Sequence, residues 1–224
     1  MKSQREKLVE AEINAAALFA EAEKRELIIP GKSEKQLNNE LFALALEMFG
    51  IKKYWHKRIV RSGPNTLKPY EENPPNLILQ KDDILFVDFG PIFDEWEADF
   101  GRTYVLGNDP VKLKLKRDIE TAWQECKAFF NGQQSITGAE LYTHCCESAQ
   151  QYGWEFGGPI AGHLIGHFPH ERLETEIKTN YVHPENHQDM REPDKEGNMR
   201  DWILEIHFVD SRKQIGGFFE QLLT

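Results

Sequence analysis

Apolar positions Leu8, Ile13, Ala16, Leu18, Phe19 and Leu27 recur among charges through residues 4 to 27, which predicts a long amphipathic helix. Ile28-Ile-Pro-Gly-Lys32 interrupts that pattern. Ser33 with Gln36 reads as a capping box, opening a second helix that reaches about Phe49 and stops at Gly50. Ile59-Val-Arg-Ser62 is a short strand, followed by the turn residues Gly63-Pro-Asn-Thr66. Leu67 to Gln80, with Pro69, Pro74 and Pro75, reads as loop. Ile84 to Leu106 then reads as two apolar strands joined by a short acidic turn.

The same order follows again. Asn108-Asp-Pro110 opens a helix to roughly Phe130, and Thr137 with Glu140 caps another that ends near Gly153. A Gly-rich connection, Gly157 to Gly162, leads into the histidine-bearing run His163 to Glu171. Arg172 to Arg200 is polar and proline-bearing; a structureless stretch that long reads as a functional loop or lid, with a plain solvated loop as the alternative. Two strands close the chain, Trp202 to Val209 and Ile215 to Leu223. The sequence thus divides into similar halves, about 4–106 and 110–223, that complete one core together.

Composition changes this picture little. Forty per cent apolar and 29% charged residues are ordinary for a globular chain of 224 residues, which is expected to form a single domain. A net charge of −10 argues against a nucleic-acid or anionic-membrane surface. No apolar run approaches the roughly 18 residues of a membrane span, and Met1 to Lys7 lacks the apolar segment of a secretory signal. Cys126 and the adjacent Cys145 and Cys146 are a poor disulfide framework, so a cytoplasmic protein with packing thiols is expected.

The chemistry lies in what interrupts the apolar strands. Asp88 and Asp99 do so in the first pair, Glu205 and Glu220 in the second. A buried, unpaired carboxylate costs several kcal/mol, so these positions call for partners. For Asp88 and Asp99 the bland partners would be backbone or Arg102. If a pseudo-two-fold axis relates the halves, the four acids meet at its centre instead. With the imidazole of His163 they make a ligand set for two divalent transition metals, which suits manganese, cobalt, iron or zinc. Such a pair activates water and polarises a carbonyl, so hydrolysis of an amide is the implied reaction.

These residues also resemble the pita-bread metallopeptidases, which include methionine aminopeptidase, aminopeptidase P and proline dipeptidase. Val87-Asp88-Phe89-Gly90 with Asp99, Gly162-His163-Leu-Ile-Gly166-His-Phe-Pro-His170-Glu171, Glu205 and Glu220 match that family's order over about Ile28 to Thr224. The resemblance implies an α+β pita-bread fold, with two pseudo-symmetric halves around a curved antiparallel sheet covered by helices. The extra N-terminal domain of aminopeptidase P and proline dipeptidase is expected to be absent here. By the same resemblance Asp99 and Glu220 bridge two divalent ions, Asp88 binds one, and His163 with Glu205 binds the other. Glu205 is then the general base and His170 the donor to the substrate carbonyl. Manganese is the first choice of metal, with cobalt, iron or zinc as alternatives.

The departures fall on the substrate side. Pro69 and Pro159 stand where the Xaa-Pro enzymes carry histidines, and Ile206 follows Glu205 where proline is usual. His56 could substitute for a missing histidine, though its spacing does not show it and an ordinary strand-start histidine is the bland alternative. His207, on the strand face of Glu205, is a second candidate substrate contact. The expected activity is removal of an N-terminal residue from short peptides or cleavage of dipeptides, Xaa-Pro type first. Methionine aminopeptidase-like activity and a non-catalytic peptide-binding module are the alternatives. A short peptide is the expected partner, with no nucleic acid and no membrane; a homodimer is left open.

Overall fold

The computed structural model describes residues 2–68, 70–169 and 177–224. In the first half, α1 (Gln4–Lys24) is opened by a Ser3–Glu6 capping box and buries Leu8, Ala11, Ala15, Leu18, Phe19 and Ala22. It ends short of Leu27, where Glu26 takes a φ of 53°. Next, α2 (Glu34–Phe49) starts at Ser33, whose side chain accepts from the Gln36 amide. The reciprocal half of the expected capping box is missing because the Gln36 side chain donates to Glu40. Gly50, at φ 70°, closes the helix in the left-handed conformation that glycine adopts without steric cost.

Strand β1 (Ile59–Ser62) leads through a short 3-10 turn to β2 (Ile84–Phe89). The acidic turn predicted between the first strand pair is more elaborate than a turn. It holds a separate two-stranded hairpin, β3 (Ile92–Phe93) and β4 (Trp96–Glu97), before β5 (Phe100–Val105). Asp94 and Glu95, at φ 46° and 72°, form its two-residue loop, and Asp tolerates that conformation better than most residues.

The second half repeats the plan. Asp109 caps α3 (Pro110–Gly132), and a full Thr137–Glu140 capping box opens α4 (Gly138–Tyr152). Short strands β6 (Glu155–Phe156) and β7 (Leu164–Ile165) precede the long pair β8 (Asp201–Asp210) and β9 (Ile215–Leu222). The main sheet runs β1-β2-β5-β9-β8-β6, antiparallel throughout, with β7 also paired to β8. That order is symmetric about the β5–β9 junction, as expected of two pseudo-symmetric halves in a pita-bread fold.

Each pair of long helices covers one face of its own strands. Leu18, Phe19, Leu37 and Leu41 pack with Leu85, Val87, Phe89 and Phe100. Leu115, Ile119, Trp123 and Leu141 pack with Leu204, Ile206, Phe208 and Phe219. Strand side chains alternate between faces, so burying Val87, Leu204 and Phe219 against helices turns Asp88, Glu205 and Glu220 to the opposite face.

The described part of the polar stretch, residues 177–200, is a docked loop more than a free lid. Val182 and Met190 join the core under α3 and α4, and the Met190 amide donates to Ile136 O. Among the described residues no helix is long and apolar enough to cross a membrane.

Candidate metal centre

Sheet register assembles the acids. Asp88 of β2 lies opposite Gly101 of β5, Gly101 opposite Glu220 of β9, and Glu220 opposite Glu205 of β8. One rung across four strands therefore carries three carboxylates, and a fourth, Asp99, sits just before β5 on the side of Gly101. Gly101 must be small: a Cβ there would lie 2.6 Å from the Phe218 ring and 3.0 Å from Glu220 Cβ.

His163 arrives from outside the strands by backbone pairing. Its carbonyl accepts from the Ile203 amide, and the Ala161 carbonyl accepts from the Glu205 amide. Gly162, at φ 138°, permits the approach, since a Cβ there would meet Ile203 O at 2.0 Å. His163 Nε2 lies 3.0 Å from Asp99 Oδ2 and 3.9 Å from Glu220 Oε1.

Among the described residues two groups of possible metal donors result, His56–Asp88–Asp99 and Asp99–His163–Glu220. Asp99 belongs to both. Glu205 stands outside either group, less buried than its neighbours, with its carboxyl hydrogen-bonded to that of Glu220. Arg102, the bland partner, is elsewhere: it stacks on Phe100 and Phe219 and donates to the Gly101 and Glu220 carbonyls.

The electrostatics follow from burial. Desolvation pushes the Asp88 and Glu205 carboxyls up to about 7 and raises Glu220 well above its ordinary value. Burial opposes ionisation of Asp99 too, but the charges and hydrogen bonds of His56 and His163 overcome it and hold that group low. Asp88 Oδ1 and Glu220 Oε2 are buried with no hydrogen-bond partner among the described residues. Carboxylate oxygens rarely stay so, and the donor set fits a divalent cation that would engage them.

The two candidate substrate-side histidines part company. His56 is no ordinary strand-start residue; its Nε2 lies 3.0 Å from Asp99 Oδ1 and 3.6 Å from Asp88 Oδ1. His207 shares the Glu205 face, but its ring is held by the Thr66 carbonyl at 2.8 Å, between Phe86 and Phe218. Burial pushes it down to about 4, a neutral packing imidazole at physiological pH. His170 and Pro69 lie outside the described residues. Two neighbours of the cluster carried no sequence signal. Trp55 has its ring 5.2 Å from that of His163, and Tyr181 bridges to the His163 backbone.

The model of metallopeptidase family M24 matches residues 6–198. The chain belongs to metallopeptidase family M24. Among relatives, the Xaa-Pro dipeptidase of Pyrococcus horikoshii is 28% identical over 175 residues, 76% of this chain and 48% of that protein. The Xaa-Pro dipeptidase of Pyrococcus furiosus is 25% identical over 142 residues, 63% of this chain and 39% of that protein. The chain thus spans about half the length, or less, of these relatives. Solved structures share the fold at lower identity. The prolidase from Pyrococcus horikoshii superposes with a TM-score of 0.76 at 20% identity, covering 99% of this chain and 59% of its own. Methionine aminopeptidase from Thermotoga maritima superposes at 0.71 and 16% identity, covering 100% of this chain and 97% of its own.

Proposed function

We propose that the chain is a dinuclear metal-dependent peptidase that removes the N-terminal residue of short peptides or splits dipeptides, Xaa-Pro substrates first. The observation that carries this reading is the buried convergence of Asp88, Asp99, His163 and Glu220, with Asp88 Oδ1 and Glu220 Oε2 lacking hydrogen-bond partners among the described residues. Asp88, Asp99 and Glu220 would hold one divalent cation, and Asp99, Glu220, His163 and Glu205 the other. Manganese is the first candidate, then cobalt, iron or zinc. When bound, the cations supply Lewis acidity, polarising a peptide carbonyl and making water acidic enough to attack near neutral pH. The M24 match and the Xaa-Pro dipeptidases among its relatives support the same reading.

The chain's own residues divide the remaining work. Glu205, at the edge of the cluster, would take the proton of the attacking water and deliver it to the leaving amine. His170 would donate to the carbonyl oxygen as negative charge builds there. Trp55 and Tyr181 would shield the scissile bond from bulk solvent, beside His163. His207 would support the floor of the site through Thr66 and Phe218 without touching substrate. Free thiols at Cys126, Cys145 and Cys146 support a reducing compartment, the cytoplasm.

The test is a panel of Xaa-Pro dipeptides, longer Xaa-Pro peptides and Met-Ala peptides, assayed with manganese or cobalt and after chelation. Chelator-sensitive release of the N-terminal residue is expected, and the preferred peptide class shows what Pro69 and Pro159 have done to specificity. Bound metal without hydrolysis of any peptide would favour a peptide-binding module on this fold. Undiminished turnover after chelation would remove metal from the reaction.

A further inference from the structure

We infer that His56 is itself a metal ligand, completing with Asp88 and Asp99 a histidine-bearing half-site that mirrors Asp99, His163 and Glu220; the inference rests on the dinuclear reading above. His56 Nε2 lies 3.0 Å from Asp99 Oδ1 and 3.6 Å from Asp88 Oδ1. Donors held about 2.0–2.2 Å from one cation, at tetrahedral or octahedral angles, are themselves about 2.8–3.6 Å apart. The spacing is therefore that of donors sharing a cation. A plain ion pair explains it less well. At 3.6 Å the imidazole leaves Asp88 Oδ1 without a hydrogen bond among the described residues, whereas a cation among the three would engage every donor.

Ring orientation makes the same point. His56 Nδ1 is 2.8 Å from the carbonyl of the next residue, Lys57, and His163 Nδ1 is 2.8 Å from the carbonyl of its next residue, Leu164. With Nδ1–H donating to that carbonyl, the Nε2 lone pair of each ring faces the carboxylates, as in metal-bound histidines. Asp99 then presents Oδ1 to one imidazole and Oδ2 to the other, each at 3.0 Å.

The fold also makes room for His56. Its side chain is 9% exposed. The Trp55 amide donates to Gly90 O at 3.0 Å and Tyr54 bridges to Pro91, which docks this segment beside the acids. A Cβ on Gly90 would lie 2.1 Å from His56 Cδ2, so this glycine, two residues past Asp88, is what admits the ring.

One imidazole per cation changes metal preference. Carboxylate-only sites suit manganese and magnesium, while imidazole favours zinc, cobalt, iron and nickel. Manganese comes first for the ligand set without His56; counting His56 as a ligand tilts that preference toward zinc, cobalt and iron, and removing His56 tilts one site back toward manganese.

The experiment loads the full chain with cobalt and compares it with His56→Asn and His56→Gln. Metal content and affinity are measured by titration, and proton spectra of the cobalt form count shifted, exchangeable imidazole N–H signals. The wild type should bind two equivalents and show two such signals. Either variant should show one signal, and weaken one cobalt equivalent by more than the roughly 10- to 100-fold typical of losing a ligand's hydrogen-bond partner. Failure of the wild type to bind two equivalents would overturn the dinuclear reading itself. Two equivalents with one N–H signal in the wild type, or unchanged affinity and two signals in a folded variant, would overturn only the role of His56. The wild-type count can overturn it even if neither variant folds.

Discussion

Asp99→Asn tests the metal centre at the residue shared by both donor groups among the described residues. One carboxylate oxygen faces His56 and the other His163, each at 3.0 Å. Asparagine keeps the shape but removes the charge and replaces one acceptor with a donor, so both half-sites lose a ligand together. A site saturated at about 100 times its Kd stabilises a fold by about 2.7 kcal/mol, hence roughly 5 kcal/mol for two. In a chain of this length 1 kcal/mol moves Tm by about 2–4 °C, so metal should raise the wild-type Tm by about 10–20 °C. For Asp99→Asn the increment should be close to zero.

The metal-free Tm is a poor guide, because the substitution acts in two directions there. It removes the attraction of Asp99 for His56 and His163. It also relieves Asp88, Glu205 and Glu220, each of which is raised in part by the Asp99 charge. The metal-dependent increment is therefore the quantity to measure, by calorimetry at buffered free manganese alongside equilibrium dialysis with elemental analysis. Two bound equivalents and an undiminished increment would refute the reasoning.

Other outcomes probe the scaffold and the chemistry. Gly101→Ala would drive a methyl against Phe218 and Glu220, costing about 1–3 kcal/mol and weakening metal binding; an unchanged melt and titration would show that the rung tolerates a side chain. Glu12 accepts from the Leu222 amide and is raised above its ordinary value, chiefly by burial. A raised carboxyl disfavours the fold above its folded value and ceases to do so as pH falls below its unfolded value, about 4.3. Glu12→Gln should thus raise Tm at pH 7 to 8 and lose that advantage near pH 4; a gain as large at pH 4 would contradict it. His170→Ala should keep both metals while turnover falls by roughly a hundredfold or more, and unchanged turnover would remove His170 from the mechanism.

Much of this molecule could be read without coordinates because the signals are local. Capping at Ser33 and Thr137, the stops at Gly50 and Gly153, and Pro110 after Asp109 depend on neighbours within a few residues. Charges inside Ile84–Phe89 and Ile215–Leu222 likewise announce themselves, because an acid among buried apolar residues demands compensation. That reasoning named the acids without a single distance, and His163 entered as the imidazole that completes their ligand set.

Tertiary structure decided which of them meet, and on what terms. The β5–β9 register, pairing Gly101 with Glu220, joins the two halves into one rung, and no local pattern encodes it. Arg102 is a plausible partner for the acids by spacing alone, but stacking against Phe100 and Phe219 carries it away from them. Residues 177–200 read as polar and structureless because their anchors, Val182 and Met190, are isolated apolar residues whose partners lie on other elements. His56 is the sharpest case. It lies 43 residues from Asp99 in sequence, and only the pairing of Trp55 with Gly90, and the space that glycine leaves, brings its imidazole to the carboxylates. Local composition can say that a charge needs a partner; long-range backbone pairing determines which side chain reaches it.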